Sequence, residues 1–139
     1  MDDYGNDIAA ISQLRSQYSL YYDNADANRF ARLFTEDGLC NLGTWGVFRG
    51  PQEIEVGIAG QLVAPSPQPA TIHSVSTPVI DVQGDSASGS WYVTVYHLPH
   101  DGDLHPVRFV GRYFDEYRRT PEGWRFSEVR LDPYWFVGY

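Results

Sequence analysis

The sequence predicts an α+β fold in which helices come first and a curved, mostly antiparallel sheet follows, with a pocket enclosed between the two layers. Three observations carry that expectation. Apolar residues recur at helical spacing up to Leu62 and give way to strand-like runs from Thr71 onward. Turn signals divide the second half into four long segments. The 139 residues, with no break in composition, suit a single domain over 1–139 that is large enough to bury a core and still hold a cavity.

The elements follow in order. Ile8, Ile11, Leu14, Tyr18 and Tyr22 share one helical face, with Asn6 placed as N-cap, so the first helix runs about four turns to Tyr22-Asp23. Asp26 caps a short second helix with the stripe Phe30, Leu33 and Phe34, broken at Asp37-Gly38. Leu39 to Phe48, glycine-bearing and containing Trp45, reads as an irregular strand or hairpin. Gly50-Pro51 opens a third helix carrying Ile54, Ile58 and Leu62, and the Pro-rich stretch 64–70 cannot be helical. Strands are expected at 71–82, 86–98, 107–119 and 124–137, joined by turns at Gln83-Gly84-Asp85 and Pro121-Glu122-Gly123 and by a polar loop at 99–106. That is a four-strand antiparallel meander with the helices laid on one face.

Composition narrows the function. A net charge of -8 with only 10 Lys plus Arg repels polyanions, so no nucleic-acid partner is expected. No apolar run approaches membrane-spanning length, so no membrane partner is expected either. Cys40 is the single cysteine, which rules out an internal disulfide and a multi-cysteine zinc site. The opening MDDYGND lacks the basic-then-apolar design of a secretory signal, and a cytoplasmic location is the expectation. The 4 Trp, 10 Tyr and 7 Phe suit a pocket wall for a small-molecule substrate, since such rings can be apolar on one edge and hydrogen-bonded on another. No GxGxxG, P-loop or HExxH pattern calls for a cofactor or metal. The segment HLPHDGDLH offers His97, His100, Asp101, Asp103 and His105, but at spacings that match no closed zinc or calcium site; it reads as a polar lid.

Three stretches, YYDNADANRFARLFTEDG, IHSVSTPVIDVQGDSASGSWYV and GRYFDEYRRTPEGWRFSEVRL, resemble the SnoaL-like branch of the NTF2-like superfamily, over about Ile8 to Leu131. The resemblance implies a cone-shaped α+β barrel and a family that includes polyketide cyclases, scytalone dehydratase, a dehydrochlorinase, steroid isomerases and non-catalytic association subunits. By that resemblance the aspartate after the first helix falls on Asp23 and its histidine partner on His73. The second dehydratase histidine falls on His97, and the tyrosine before the aspartate on Tyr22. Gly111 and Tyr113 stand where the dehydratase pattern has serine and asparagine, and Tyr18 where the dehydrochlorinase has lysine, which argues against either substrate.

The resemblance further implies that Asp23 fixes the tautomer of His73, which takes a proton from substrate, while His97 or a hydroxyl of Tyr22 or Tyr113 donates one. Strand parity puts Trp91, Val93, Val95 and His97 on one face, and Phe109, Gly111, Tyr113 and Asp115 on another, with Gly111 opening space. Tyr18, Tyr22, Trp45, Trp91, Phe109 and Tyr113 are accordingly expected to bind substrate. The expected function is a cofactor-independent dehydratase, cyclase or isomerase acting on a small, largely apolar polyketide- or aromatic-like molecule. The alternative is a non-catalytic domain that binds a hydrophobic ligand or associates with an enzyme. A homo-oligomer, dimer or trimer, is expected through the outer sheet face, where Arg112, Glu116 and Arg118 lie.

Overall fold

The computed structural model describes residues 4–62, 70–98 and 106–137. The first helix, α1 (Tyr4–Asp23), begins a little before the predicted start, so Asn6 lies inside it instead of capping it. Its first turn is anchored from outside: the Asp7 carboxylate receives both terminal nitrogens of Arg119 at 2.9 Å and the Trp124 indole at 3.1 Å. An acidic residue there also suits the positive end of the helix dipole. The buried face carries Ile11, Leu14 and Tyr18, as the periodicity predicts, and also Arg15.

Asp26 caps α2 (Ala27–Ala31), its side chain accepting the Arg29 N–H at 3.1 Å. This helix is a single turn. Leu33 and Phe34, predicted on its stripe, are buried but not helical, and Phe34 opens β1 (Phe34–Asn41). The cause is non-local: the Phe126 N–H donates to the Leu33 carbonyl at 2.8 Å and draws the chain into the sheet. Asp37-Gly38 therefore sits within β1, at an irregularity between Phe34 and Leu39. A short 3-10 turn (Gly43–Trp45) leads to β2 (Val47–Arg49), which pairs back on β1. Gly50, at φ 82, then starts α3 (Pro51–Ala59), and Leu62 lies beyond its end.

The four long strands are β3 (Thr71–Gln83), β4 (Ser86–His97), β5 (Val107–Thr120) and β6 (Gly123–Phe136), in the predicted antiparallel meander. The sheet order is β2-β1-β6-β5-β4-β3, and β1 joins β6 in parallel, which gives a six-stranded mixed sheet. The α+β class holds. The sheet does not close into a barrel, however; β2 and β3 are its edges among the described residues. It curves instead, helped by register shifts at Ser76/Val79, Val95/Tyr96, Val110/Gly111 and Glu116/Tyr117.

The inner face packs on the helices through interlocked rings, with Tyr18 4.4 Å from Phe30, 5.4 Å from Tyr113 and 5.7 Å from Phe126 between centroids. Gly111 does not open space as predicted: a Cβ there would meet the Phe109 ring at 2.7 Å and the Asp132 carbonyl at 2.6 Å. Phe109 has folded over it. No helix among the described residues is long and apolar enough to cross a membrane.

Candidate functional site

Asp23 is the last residue of α1, and its carboxylate faces the start of β3. Alternation places Thr71 and His73 on the same side of that strand. As β3 is an edge, the backbone N–H of His73 is available to a group outside the sheet. Asp23 takes it: its Oδ2 accepts the His73 N–H at 2.8 Å, while Oδ1 accepts the Thr71 hydroxyl at 3.1 Å and meets His73 Nδ1 at 2.6 Å. Two of these contacts hold the position of the carboxylate and the third holds the ring. The pair is nearly enclosed, with side chains 12% and 9% exposed for His73 and Asp23. In the neutral ring with Nδ1 donating to the carboxylate, Nε2 carries the lone pair.

The Tyr22 ring lies against the His73 ring, centroids 4.8 Å apart, and its hydroxyl donates to Gln61 Oε1 at 3.2 Å. The Gln61 amide in turn donates to the Trp45 carbonyl. Gln61 thus ties the end of α1 to the 3-10 turn.

These groups border a cavity of about 350 Å³. Of the residues singled out in the sequence, Tyr18, Tyr22, Trp45, His73, Phe109 and Tyr113 line it, and Asp23 stands behind His73. Gln61, Thr71, Val95, Arg108, Leu131 and Phe136 also line it, with Leu42. Val95 lies on the strand face that parity assigns to Trp91, Val93 and His97; sequence reasoning did not find the others. Gln61 lies past the helical periodicity, and Arg108 neighbours Phe109, so strict alternation would send it to the other face.

Two expected residues are elsewhere. Trp91 is only 5% exposed and its indole donates to the Tyr117 hydroxyl at 3.0 Å, which donates to Asp115 Oδ2 at 2.6 Å. Trp91 pairs with Tyr113, deeper along β4 than the Val95–Phe109 rung, where buried polar groups fill the interior. His97 ends β4 opposite Thr71, its backbone N–H bonded to the Pro106 carbonyl at 2.6 Å, and it is not among the described cavity-lining residues. The predicted lid, with His100, Asp101, Asp103 and His105, lies outside the described residues. Among those described, no group of three or more His, Cys, Asp or Glu could hold a metal ion.

Beneath the cavity floor Arg15 forms a buried, two-pronged ion pair with Asp115, with Nε 3.0 Å from Oδ2. Burial works against the charge of Arg15, but the adjacent carboxylate more than offsets this and holds the guanidinium above its usual range. Its central carbon is 3.8 Å from the Tyr113 ring centroid and 4.3 Å from that of Tyr18. Burial pushes both phenols above their ordinary range, so Tyr18 and Tyr113 are neutral hydroxyls in the wall.

Residues 4–130 match the model of the SnoaL-like domain. Among solved structures, an Asp-to-Asn variant of Rv3472, a protein of unknown function from Mycobacterium tuberculosis, superposes with a TM-score of 0.82 at 24% identity, covering 98% of this chain and 76% of that one. LinA gives 0.80 at 20% identity, covering 99% and 92%. A candidate scytalone dehydratase from Novosphingobium aromaticivorans gives 0.77 at 22% identity, covering 95% and 87%. At such identities the likeness is one of fold. No curated protein matches the sequence significantly.

Proposed function

The chain belongs to the SnoaL-like family, and on that footing we propose that it is a cofactor-independent acid–base enzyme of dehydratase, cyclase or isomerase type, acting on a small, largely apolar aromatic- or polyketide-like molecule. The observation that carries this reading is the 2.6 Å contact between His73 Nδ1 and Asp23 Oδ1, made where the His73 ring borders the ring-lined cavity. Asp23 holds the ring in one orientation and stabilises the imidazolium, while Nε2 takes a proton from a substrate carbon. Tyr113, which lines the cavity and is kept protonated by burial, supplies a neutral hydroxyl for the substrate oxygen on which charge develops. Tyr22 directs its proton to Gln61 and serves through its ring, as a wall against His73. Elimination, isomerisation and ring closure share that first proton abstraction.

The test uses 5-nitrobenzisoxazole, a compact aromatic probe. Loss of its ring C–H proton to a base breaks the N–O bond and releases a coloured cyanophenolate. The protein should open it faster than buffer does, and His73→Ala should lower the rate by at least about 10². Equal rates for the parent and His73→Ala would remove the histidine from the mechanism and favour the ligand-binding alternative.

A further inference from the structure

We propose that the outer face of the sheet closes a two-fold dimer of this chain, in which Arg112 and Arg130 of each copy face Glu116 and Glu128 of the other; this is independent of the acid–base reading, since none of the four lines the cavity. The helices pack on the face of the sheet that carries Tyr113 and Phe126. The opposite face stays in solvent with large side chains on it: Ile72 is 42% exposed, Tyr92 47%, Tyr96 39% and Trp135 50%. Alternation against the buried Tyr113, Asp115, Tyr117 and Val129 puts Arg112, Phe114, Glu116, Glu128 and Arg130 there as well. The four long strands run 13, 12, 14 and 14 residues. At about 3.4 Å per residue and 4.8 Å between strands their outer face spans roughly 800 Å², which is about what one partner contributes to a stable interface.

The order of charges on that face identifies the occupant. Glu116 and Glu128 are directly opposed across β5 and β6, like against like, and among the described residues neither has a cationic partner. Burial and the Glu128 charge both raise the Glu116 carboxyl above its usual value. Arg118, the next outward residue on β5, acts on Asp37. Two residues away in the other direction the sign reverses. Arg130 and Arg112 lie against Phe114, their central carbons 4.3 and 4.7 Å from its ring centroid, and Arg112 also donates to Ser90 Oγ at 2.9 Å. Asp132 is opposite Arg112 in the ladder but forms no ion pair with it. The guanidinium groups are thus held in place by a ring, without a carboxylate. One face therefore carries a cationic band and, about 7 Å along the strands, an anionic one. A two-fold axis crossing the strands between the bands reverses their direction and sets each Arg130 over the second copy's Glu128. That self-complementarity is what an isologous interface requires, whereas a three-fold ring would use two different patches. Both signs in adjacent bands favour a second copy over an unrelated partner, and the net charge of -8 repels polyanions.

Sedimentation equilibrium tests this. At micromolar concentration the parent chain of 15.8 kDa should sediment at twice that mass, and raising NaCl from about 0.05 to 0.5 M should weaken the dimer about tenfold or more. Two charge-reversed proteins, Glu116→Arg/Glu128→Arg and Arg112→Glu/Arg130→Glu, should each lose self-association by about 10²-fold or more. An equimolar mixture of the two sets every charge against its opposite again and should regain the dimer, which separates a charge effect from loss of fold. If either variant is unfolded by circular dichroism, the salt titration of the parent decides alone. A monomeric or trimeric parent, a Kd unchanged by salt, charge-reversed variants that still pair with themselves, or a mixture of folded variants that stays monomeric would overturn the proposal.

Discussion

Replacing Asp23 with asparagine changes one atom and tests the logic of the site. The carboxylate accepts three donors: the Thr71 hydroxyl and the His73 ring nitrogen on Oδ1, and the His73 backbone N–H on Oδ2. An amide offers one oxygen and one NH₂. With the NH₂ at the Oδ2 position it would face the backbone N–H, donor against donor, and a backbone amide has no second tautomer to adopt. With the NH₂ at the Oδ1 position it faces Nδ1, and the ring can respond by moving its proton to Nε2. The second arrangement wins, and it turns the cavity side of His73 from a base into a donor. The expected loss in 5-nitrobenzisoxazole turnover is about 10²–10⁴. Stability should fall by only about 2 kcal/mol, the worth of a hydrogen bond to a charged group, which is a loss of several degrees in Tm and leaves the domain folded at room temperature. Initial rates, with thermal melts on the same samples, decide it. An Asp23→Asn protein that turns over the probe at the parental rate, or loses activity only in proportion to its unfolded fraction, would refute the tautomer argument.

Two predictions concern the frame beneath the site. Arg15→Met leaves Asp115 buried at 2% exposure without its cation and should cost about 3–5 kcal/mol in urea denaturation, with much of it recovered in Arg15→Met/Asp115→Leu; a single-variant cost below about 1 kcal/mol would show that the pair does not hold the core. Asp7 is depressed below its ordinary value of 3.8 by the hydrogen bonds of Arg119 and Trp124. A carboxyl depressed on folding contributes stability above its unfolded pKa and loses it as pH falls through the folded value. Asp7→Asn should therefore flatten part of the acid-side decline in stability below about pH 4, and an unaltered decline would exclude Asp7 from it.

The extent of legibility differs element by element, for physical reasons. α1 and β3 to β6 were readable because period and turn chemistry are local properties, carried by Ile11, Leu14 and Tyr18 on one side and by Gly84 and Gly123, both at positive φ, on the other. The Asp26 cap was readable for the same reason. Phe34 was misread as helical because what places it in β1 is a backbone bond from Phe126, ninety-two positions away by sequence number. Strand alternation gave Trp91 the correct side of the sheet but not its depth, and depth decided that it joins Tyr117 and Asp115 instead of the cavity.

The sequence by itself determined that the chain forms helices and then a meander, that its composition is acidic and rich in aromatic rings, and, by resemblance, that Asp23 and His73 are partners. Tertiary structure decided the parallel pairing of β1 with β6, the folding of Phe109 over Gly111, the contact of Gln61 with both Tyr22 and Trp45, and the entry of Arg108 into the cavity wall. Each depends on distances between residues far apart along the chain, or on a break in strand regularity. A local pattern encodes which way a side chain tends to point, and only the packed sheet and helices fix what it then meets.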